Sequence, residues 1–232
     1  MNNPQLPLGL ALRDSARFES FFGVQNGELL TILQQAATGT GETLVYLAGA
    51  DGLGKTYLLQ AACRHATQAG RSSTYLPLSA RADLAPEVLA GLEQVDLVCL
   101  DDIQAIAGDA PWERGVFDLF NRVRAAGGTL LVAGQQRPDR AGLALPDLVS
   151  RLTWGVTYVL KPLAEADVLA ALDWRARSRG LELPDVTARF LIKRLPRDLP
   201  TVFDLLDRLD EASMVEQRRL TVPFVKAVLG LE

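Results

Sequence analysis

Eight consecutive residues, Gly49-Ala50-Asp51-Gly52-Leu53-Gly54-Lys55-Thr56, satisfy a pattern of glycine, four free positions, glycine, lysine and threonine. The chemistry that such a run supports is phosphate binding. Backbone N–H groups wrap a phosphate chain only where the peptide comes very close. Gly49, Gly52 and Gly54 therefore stand where a Cβ would collide or where positive φ is needed, with Leu53 tolerated between them. The Lys55 ammonium then reaches the outer phosphates, the Thr56 hydroxyl is placed for Mg²⁺, and Tyr57 follows as a further nucleotide contact. A second group would complete a hydrolytic set. Asp101-Asp102 closes an apolar run at 95–100, and Asp101 lies 45 residues beyond Thr56. Adjacent carboxylates at the end of a buried strand are costly unless they meet a cation or water. Asp101 is accordingly assigned to the metal shell, through water, and Asp102 to orienting or deprotonating an attacking water. Gln135 ends a further apolar run. It either touches a γ-phosphate or the attacking water, or is a solvated loop amide.

These groups need a scaffold with strand ends gathered on one side. Short β-favouring runs at 43–47, 72–76, 95–100, 129–133 and 156–160 alternate with helical patterns at 56–69, 86–92, 111–126 and 146–152. Such alternation predicts an α/β fold, a five-stranded parallel sheet flanked by helices. Pro77 closes the second strand, because proline cannot donate to a central ladder. From residue 165 the pattern turns wholly helical, over 165–179, 185–195, 200–217 and 222–229, with Thr221 as an N-cap before the last helix. That predicts a small C-terminal all-helical lid. The domain boundaries expected are an extended tail at 1–17, a nucleotide-binding α/β domain at 18–161 and the lid at 162–232.

Composition narrows the function. The chain has 232 residues, 48% of them apolar, and a formal net charge of −4. An acidic balance argues against autonomous duplex binding, which relies on a basic face. The apolar runs are too short to span a bilayer and no charged-then-apolar leader precedes a cleavage site, so a cytoplasmic protein without membrane contact is expected. The single histidine, His65, leaves little material for a histidine-based metal site or triad, and its expected place is a helix surface. Cys63 and Cys99 have no metal-ligand spacing and read as reduced core residues.

The N-terminal region carries two further signals. Gln5-Leu6-Pro7-Leu8-Gly9-Leu10 is unusually apolar for a tail, so either a partner binds it or it packs on its own domain. Phe18, Phe21 and Phe22, followed by Asn26 and an amphipathic helix at 27–37, either staple this segment to the core or wall the base of a nucleotide.

Taken together, the loop at 49–56, the Asp101-Asp102 strand end, the Ser150-Arg151 helix and the helical tail resemble the AAA+ ATPases of the DnaA family. Within that family the likeness is to the Hda type, the DnaA-homologous regulatory inactivators. It rests also on Ile106-Ala107-Gly108-Asp109, Leu145-Pro146-Asp147-Leu148, Ser150-Arg151-Leu152-Thr153-Trp154-Gly155 and Leu220-Thr221-Val222-Pro223-Phe224-Val225-Lys226, and covers nearly the whole chain. The resemblance implies a P-loop AAA+ fold holding ADP or ATP with Mg²⁺. It implies docking on the DNA sliding clamp through Gln5, Leu6, Leu8 and Leu10, and stimulation of ATP hydrolysis by DnaA. Arg151 matches the arginine finger, a guanidinium offered to the γ-phosphate of a neighbouring subunit, and homo-oligomers fall within the family pattern. There are departures. Pro200 stands where a sensor arginine is usual, with Arg197 the nearest basic substitute; Gln135 replaces an aspartate and Asp102 a glutamate. Intrinsic hydrolysis is therefore expected to be weak. The chain ends after the lid without a helix-turn-helix, so sequence-specific DNA binding is not expected. The alternative is an autonomous ATPase, a helicase loader or remodelling motor.

Overall fold

The computed structural model describes residues 16–21, 26–162, 164–194, 199–216 and 218–230. The chain forms two compact units. One comprises the described residues up to Phe21 with Glu28–Gly49 and Lys55–Val159; the other comprises those of Phe22–Gly27, Ala50–Gly54 and Leu160–Glu232.

The first unit is built on strands β1 (Leu44–Ala48), β2 (Ser73–Pro77), β3 (Leu97–Asp101), β4 (Thr129–Gly134) and β5 (Val156–Val159), all parallel in the order β2-β3-β4-β1-β5. The three inner strands are buried at every position, which is why their sequences read as unbroken apolar runs; the edge strands β2 and β5 are largely half-exposed. Pro77 is tolerated because β2 is an edge. Helices α1 (Gly27–Thr38), α2 (Lys55–Gln68), α3 (Ala110–Ala125) and α4 (Pro146–Trp154) complete the α/β architecture. Alternate strand side chains serve opposite faces. Tyr46, Val98, Leu100, Leu130 and Val132 pack with Trp112, Val116 and Leu119 of α3 and with Leu148 and Leu152 of α4. On the other face Cys99 meets Cys63 of α2, both thiols free and buried, with their sulfurs 3.4 Å apart.

Register fixes what stands at the C-terminal ends of the strands. Ala48 pairs with Gly134 and Leu100 with Val132, and the Gly49 N–H donates to the Gly134 carbonyl at 3.1 Å. The end of β4 is further held by Tyr46, whose hydroxyl donates to the Gln136 carbonyl at 2.9 Å.

Helix α4 is positioned by a buried acid. Glu113 of α3 is 1% exposed. Its Oε1 accepts from the Gly108 N–H at 2.7 Å and the Ala144 N–H at 2.9 Å, and its Oε2 from the Leu145 N–H at 2.6 Å. One carboxylate thus ties the turn before α3 to the segment that launches α4. At the start of α3, Asp109 accepts from the Trp112 N–H at 3.5 Å and pairs with Arg81 at 2.6 Å.

The helix expected at 86–92 does not form. That stretch holds two short 3₁₀ turns, Pro86–Leu89 and Leu92–Gln94, separated by Gly91 at φ +84°. A left-handed residue ends any helix, and a single turn does not recover the cost of nucleation.

The second unit contains α5 (Glu165–Ser178), α6 (Asp185–Ile192), α7 (Leu199–Glu216) and α8 (Val222–Leu229). Val168 and Leu172 of α5 pack with Ile192 and Leu206, while Leu191, Leu205 and Leu209 pack with Leu220, Phe224 and Val225. Arg179 bridges Asp207 at 2.9 Å and Asp210 at 3.0 Å, and the Thr187 hydroxyl donates to the Leu220 carbonyl at 2.9 Å. Thr221 occupies the N-cap position of α8 without a side-chain cap hydrogen bond. No described helix is long and apolar enough to cross a membrane.

Replacing Glu113 with Ala leaves three backbone donors without their acceptor. The variant is expected to lose about 3 kcal/mol of stability or more, read as a lowered urea midpoint at unchanged slope. An unchanged midpoint would show that water takes over the three N–H groups.

Candidate functional site

Residues 49–56 join β1 to α2. Within this loop Gly52 and Gly54 adopt φ +78° and +88°, the left-handed conformation that brings successive N–H groups to bear on one anion and that a side chain would strain. Thr56 lies in the first turn of α2, where unpaired N–H groups and the helix dipole favour phosphate. Lys55 is 5% exposed, and its side chain folds back so that its ammonium donates to the Gly49 carbonyl at 2.7 Å. A buried cation at the mouth of such a loop suits an anionic ligand.

Across from Thr56 stands Asp101, the last residue of β3 and 1% exposed. Its Oδ2 accepts from the Thr56 hydroxyl at 2.6 Å and from the Tyr75 hydroxyl at 2.9 Å; its Oδ1 accepts from the Asp102 N–H at 3.0 Å. Because the Thr56 proton is spent on Asp101, the Thr56 oxygen keeps its lone pairs for a cation. Burial pushes the Asp101 carboxyl above the usual carboxylate range, against the lowering effect of the Thr56 and Tyr75 hydrogen bonds. Burial, reinforced by the Asp101 charge, likewise raises the Tyr75 phenol, so it stays a donor.

Asp102 is the one non-glycine residue with positive φ among the described residues, at φ 57° and ψ 49°. This conformation costs roughly 1–2 kcal/mol for an ordinary residue, and aspartate is among the more tolerant. It turns the chain sharply out of β3. Gln104 then donates from Nε2 to Asp102 Oδ1 at 3.1 Å and accepts at Oε1 from the Gln135 N–H at 3.2 Å. The two contacts together orient the Gln104 amide and link the ends of β3 and β4.

The fold therefore brings Gly49, Lys55, Thr56, Asp101, Asp102 and Gln135 to one edge of the first unit. Among the described residues no cluster of three or more His, Cys, Asp or Glu side chains has metal-binding geometry. The donor set that does exist, one hydroxyl and one carboxylate, matches Mg²⁺, which takes few protein ligands and completes its shell with phosphate and water.

Phe21 is 8% exposed with its ring 6.1 Å from Tyr57, and the Tyr57 hydroxyl donates to the Arg17 carbonyl at 3.0 Å and accepts from the Arg17 N–H at 3.1 Å. Phe18 packs edge-on against His65 at 5.6 Å, so that histidine is half-covered. These contacts are those of a staple holding the N-terminal segment to α2. Asn26, 1% exposed, accepts from the Lys161 N–H at 3.4 Å within the second unit. The Gln135 side chain is exposed. Arg151 is half-buried in the last turn of α4. Arg197 and the tail residues Gln5, Leu6, Leu8 and Leu10 lie outside the described residues. Sequence reading missed Tyr75, Gln104 and Glu113. Period-two alternation puts Tyr75 on one face of β2, but only the register of β2 on β3 brings it to Asp101.

The raised Asp101 pKa sets a pH dependence. Between its unfolded value near about 4 and its higher folded value, the folded state holds a proton that the unfolded chain has released. Its contribution is fully present below the unfolded value and is lost as pH rises through the folded one. Asp101→Asn is therefore expected to flatten the decline over that window. Denaturant midpoints from pH 4 to 8 check this, and an equally steep decline in the variant would contradict it.

Two family models match the chain. The bacterial DnaA ATPase domain matches residues 12–159, and the lid domain of Hda matches residues 165–229. Among solved structures, domain III of the Thermotoga maritima replication initiation protein DnaA is 20% identical with a TM-score of 0.82, over 95% of this chain and 98% of that one. AMPPCP-bound DnaA from Aquifex aeolicus is 22% identical with a TM-score of 0.75, over 88% and 68%. The Thermotoga maritima RuvB branch migration motor is 19% identical with a TM-score of 0.72, over 94% and 72%. At these identities the structures establish a shared AAA+ fold, whereas the DnaA model spans more than half of the sequence. A DnaA-type sheet followed by an Hda-type helical lid leaves one assignment: the chain belongs to the bacterial DnaA ATPase-domain family of replication-initiation proteins.

Proposed function

We propose that this protein is a cytoplasmic regulator of replication initiation that holds a nucleotide, docks on the DNA sliding clamp and stimulates ATP hydrolysis by DnaA, converting the initiator to its inactive ADP form. The observation that carries this reading is the state of Arg151. This residue is half-buried at the end of α4, yet its guanidinium makes no hydrogen bond or ion pair among the described residues. A guanidinium without a partner among the described residues suits an anion brought by another molecule, and its planar fork fits a phosphoryl group gaining charge. The Glu113 contacts that anchor the start of α4 give that helix the rigidity such a role requires.

In this chain the amides of Gly49, Gly52, Leu53 and Gly54, with the Lys55 ammonium, bind the phosphates of ADP or ATP. Thr56 and Asp101 hold Mg²⁺, which when bound neutralises phosphate charge. Arg151 acts in trans, on the γ-phosphate carried by DnaA. Tail residues Gln5, Leu6, Leu8 and Leu10 supply the clamp contact, a glutamine and three leucines whose chemistry suits an apolar groove with a polar recess. Arg197 contributes to nucleotide binding in place of the usual sensor arginine, and assembly into homo-oligomers is compatible with the same surfaces.

A second reading, an autonomous ATPase, is favoured by the Asp101-Asp102 pair beside Thr56 and by the tethering of Asp102 through Gln104. Steady-state turnover of the isolated protein separates the two, since rapid hydrolysis lost on Asp102→Asn belongs to the motor.

Arg151→Ala is expected to leave ADP binding and clamp capture unchanged while stimulated hydrolysis of DnaA-bound ATP falls by about 10³-fold, within the range of arginine fingers. Undiminished stimulation would refute the role. Gln5→Ala is expected to weaken capture on immobilised clamp without affecting ADP binding, and equal capture of both proteins would remove the tail from the interface.

A further inference from the structure

The Asp101 carboxylate is more heavily engaged than its position requires. An ionised carboxylate offers roughly four acceptor sites. Three are filled from within the chain, by the Asp102 N–H on Oδ1 and by the Thr56 and Tyr75 hydroxyls on Oδ2. The Thr56 and Asp102 contacts follow from the phosphate loop and the strand end. The Tyr75 contact does not. It comes from the neighbouring strand, where Tyr75 pairs with Cys99, two residues before Asp101.

The Tyr75 hydroxyl donates to Asp101 Oδ2 at 2.9 Å. With Oδ2 saturated by two hydroxyls, the open site of the carboxylate is on Oδ1. Asp101 can then accept one hydrogen bond from a cation-bound water or make one direct contact, but cannot chelate.

We propose that Tyr75 is a positioning residue that restricts Asp101 to a single open acceptor and so weakens the grip of this chain on its divalent cation. The proposal rests on the nucleotide-binding reading given above. Its consequence is that nucleotide is retained chiefly through the loop amides and Lys55, with modest dependence on Mg²⁺. A protein whose task is to present Arg151 to another subunit's nucleotide has no need of a tightly loaded hydrolytic centre of its own.

The test is calorimetric titration of the full chain with ADP, in EDTA and over a series of MgCl₂ concentrations, for the wild type and Tyr75→Phe. The substitution keeps the ring and removes the hydroxyl. A hydrogen bond to a charged group is worth enough for about a tenfold effect. Tyr75→Phe is expected to lower the half-saturating Mg²⁺ concentration by about that factor, with ADP affinity in EDTA unchanged. A merely structural role for Tyr75 would shift ADP affinity equally with and without Mg²⁺, and that result overturns the proposal. So does an unchanged or raised Mg²⁺ requirement. Failure of the wild type to bind ADP in either condition would instead overturn the nucleotide reading, and this proposal with it.

Discussion

The constraint on which the first unit depends is the burial of a carboxylate at the end of a central strand. Asp101 is as inaccessible as the leucines around it. A charge so placed is tolerated only where donors converge on it, and here they arrive from three chain segments: the start of α2, the edge strand β2 and the turn leaving β3. The Tyr75 contact depends on the parallel register of β2 on β3, whereas the Asp102 contact is local to the turn. The cost shows in the raised pKa of the group, a departure from stability optimum of the sort concentrated at binding sites.

The same edge collects the remaining groups by topology. Because β1 lies between β4 and β5, the loop that leaves it runs beside the end of β4, and the Gly49 N–H bonds directly to Gly134. With β3 next to β4, the acidic pair falls close by. Open parallel sheets bind ligands outside the carboxyl ends of their strands, where oppositely directed connections leave a crevice. Asp102 is the sharpest local expression of this demand. Its left-handed backbone is strain that the Asp101 and Gln104 contacts hold in place.

Glu113 plays the corresponding structural part farther along the chain. One buried carboxylate satisfies three backbone donors and so determines where α4 begins. Arg151, two turns on, inherits a fixed starting point. Its lack of a partner among the described residues contrasts with Arg81, Arg122 and Arg179, each paired with a carboxylate. The second unit stands on its own apolar clusters and on the Arg179 bridges, with no such buried acid within it among the described residues.

What the amino-acid order determined by itself was whatever depends on neighbours along the chain. The 49–56 spacing specifies a glycine-rich turn into a helix, apolar runs specify buried strands, and Pro111, Pro146 and Pro223 mark the first turns of helices. For the same reason Asp101-Asp102 could be singled out, since its meaning lay in what preceded it, whereas Arg151 was singled out only by the family resemblance. Failure came where local preference was weak: the 86–92 stretch reads as helical, yet Gly91 and the packing around it left only single turns. Tertiary structure alone decided that Tyr75 reaches Asp101, that Gln104 spans to Gln135, and that Phe21 rests on Tyr57. Each of these joins residues well apart in sequence through the pairing of strands and helices, and no periodicity within one element encodes which face of another it will meet.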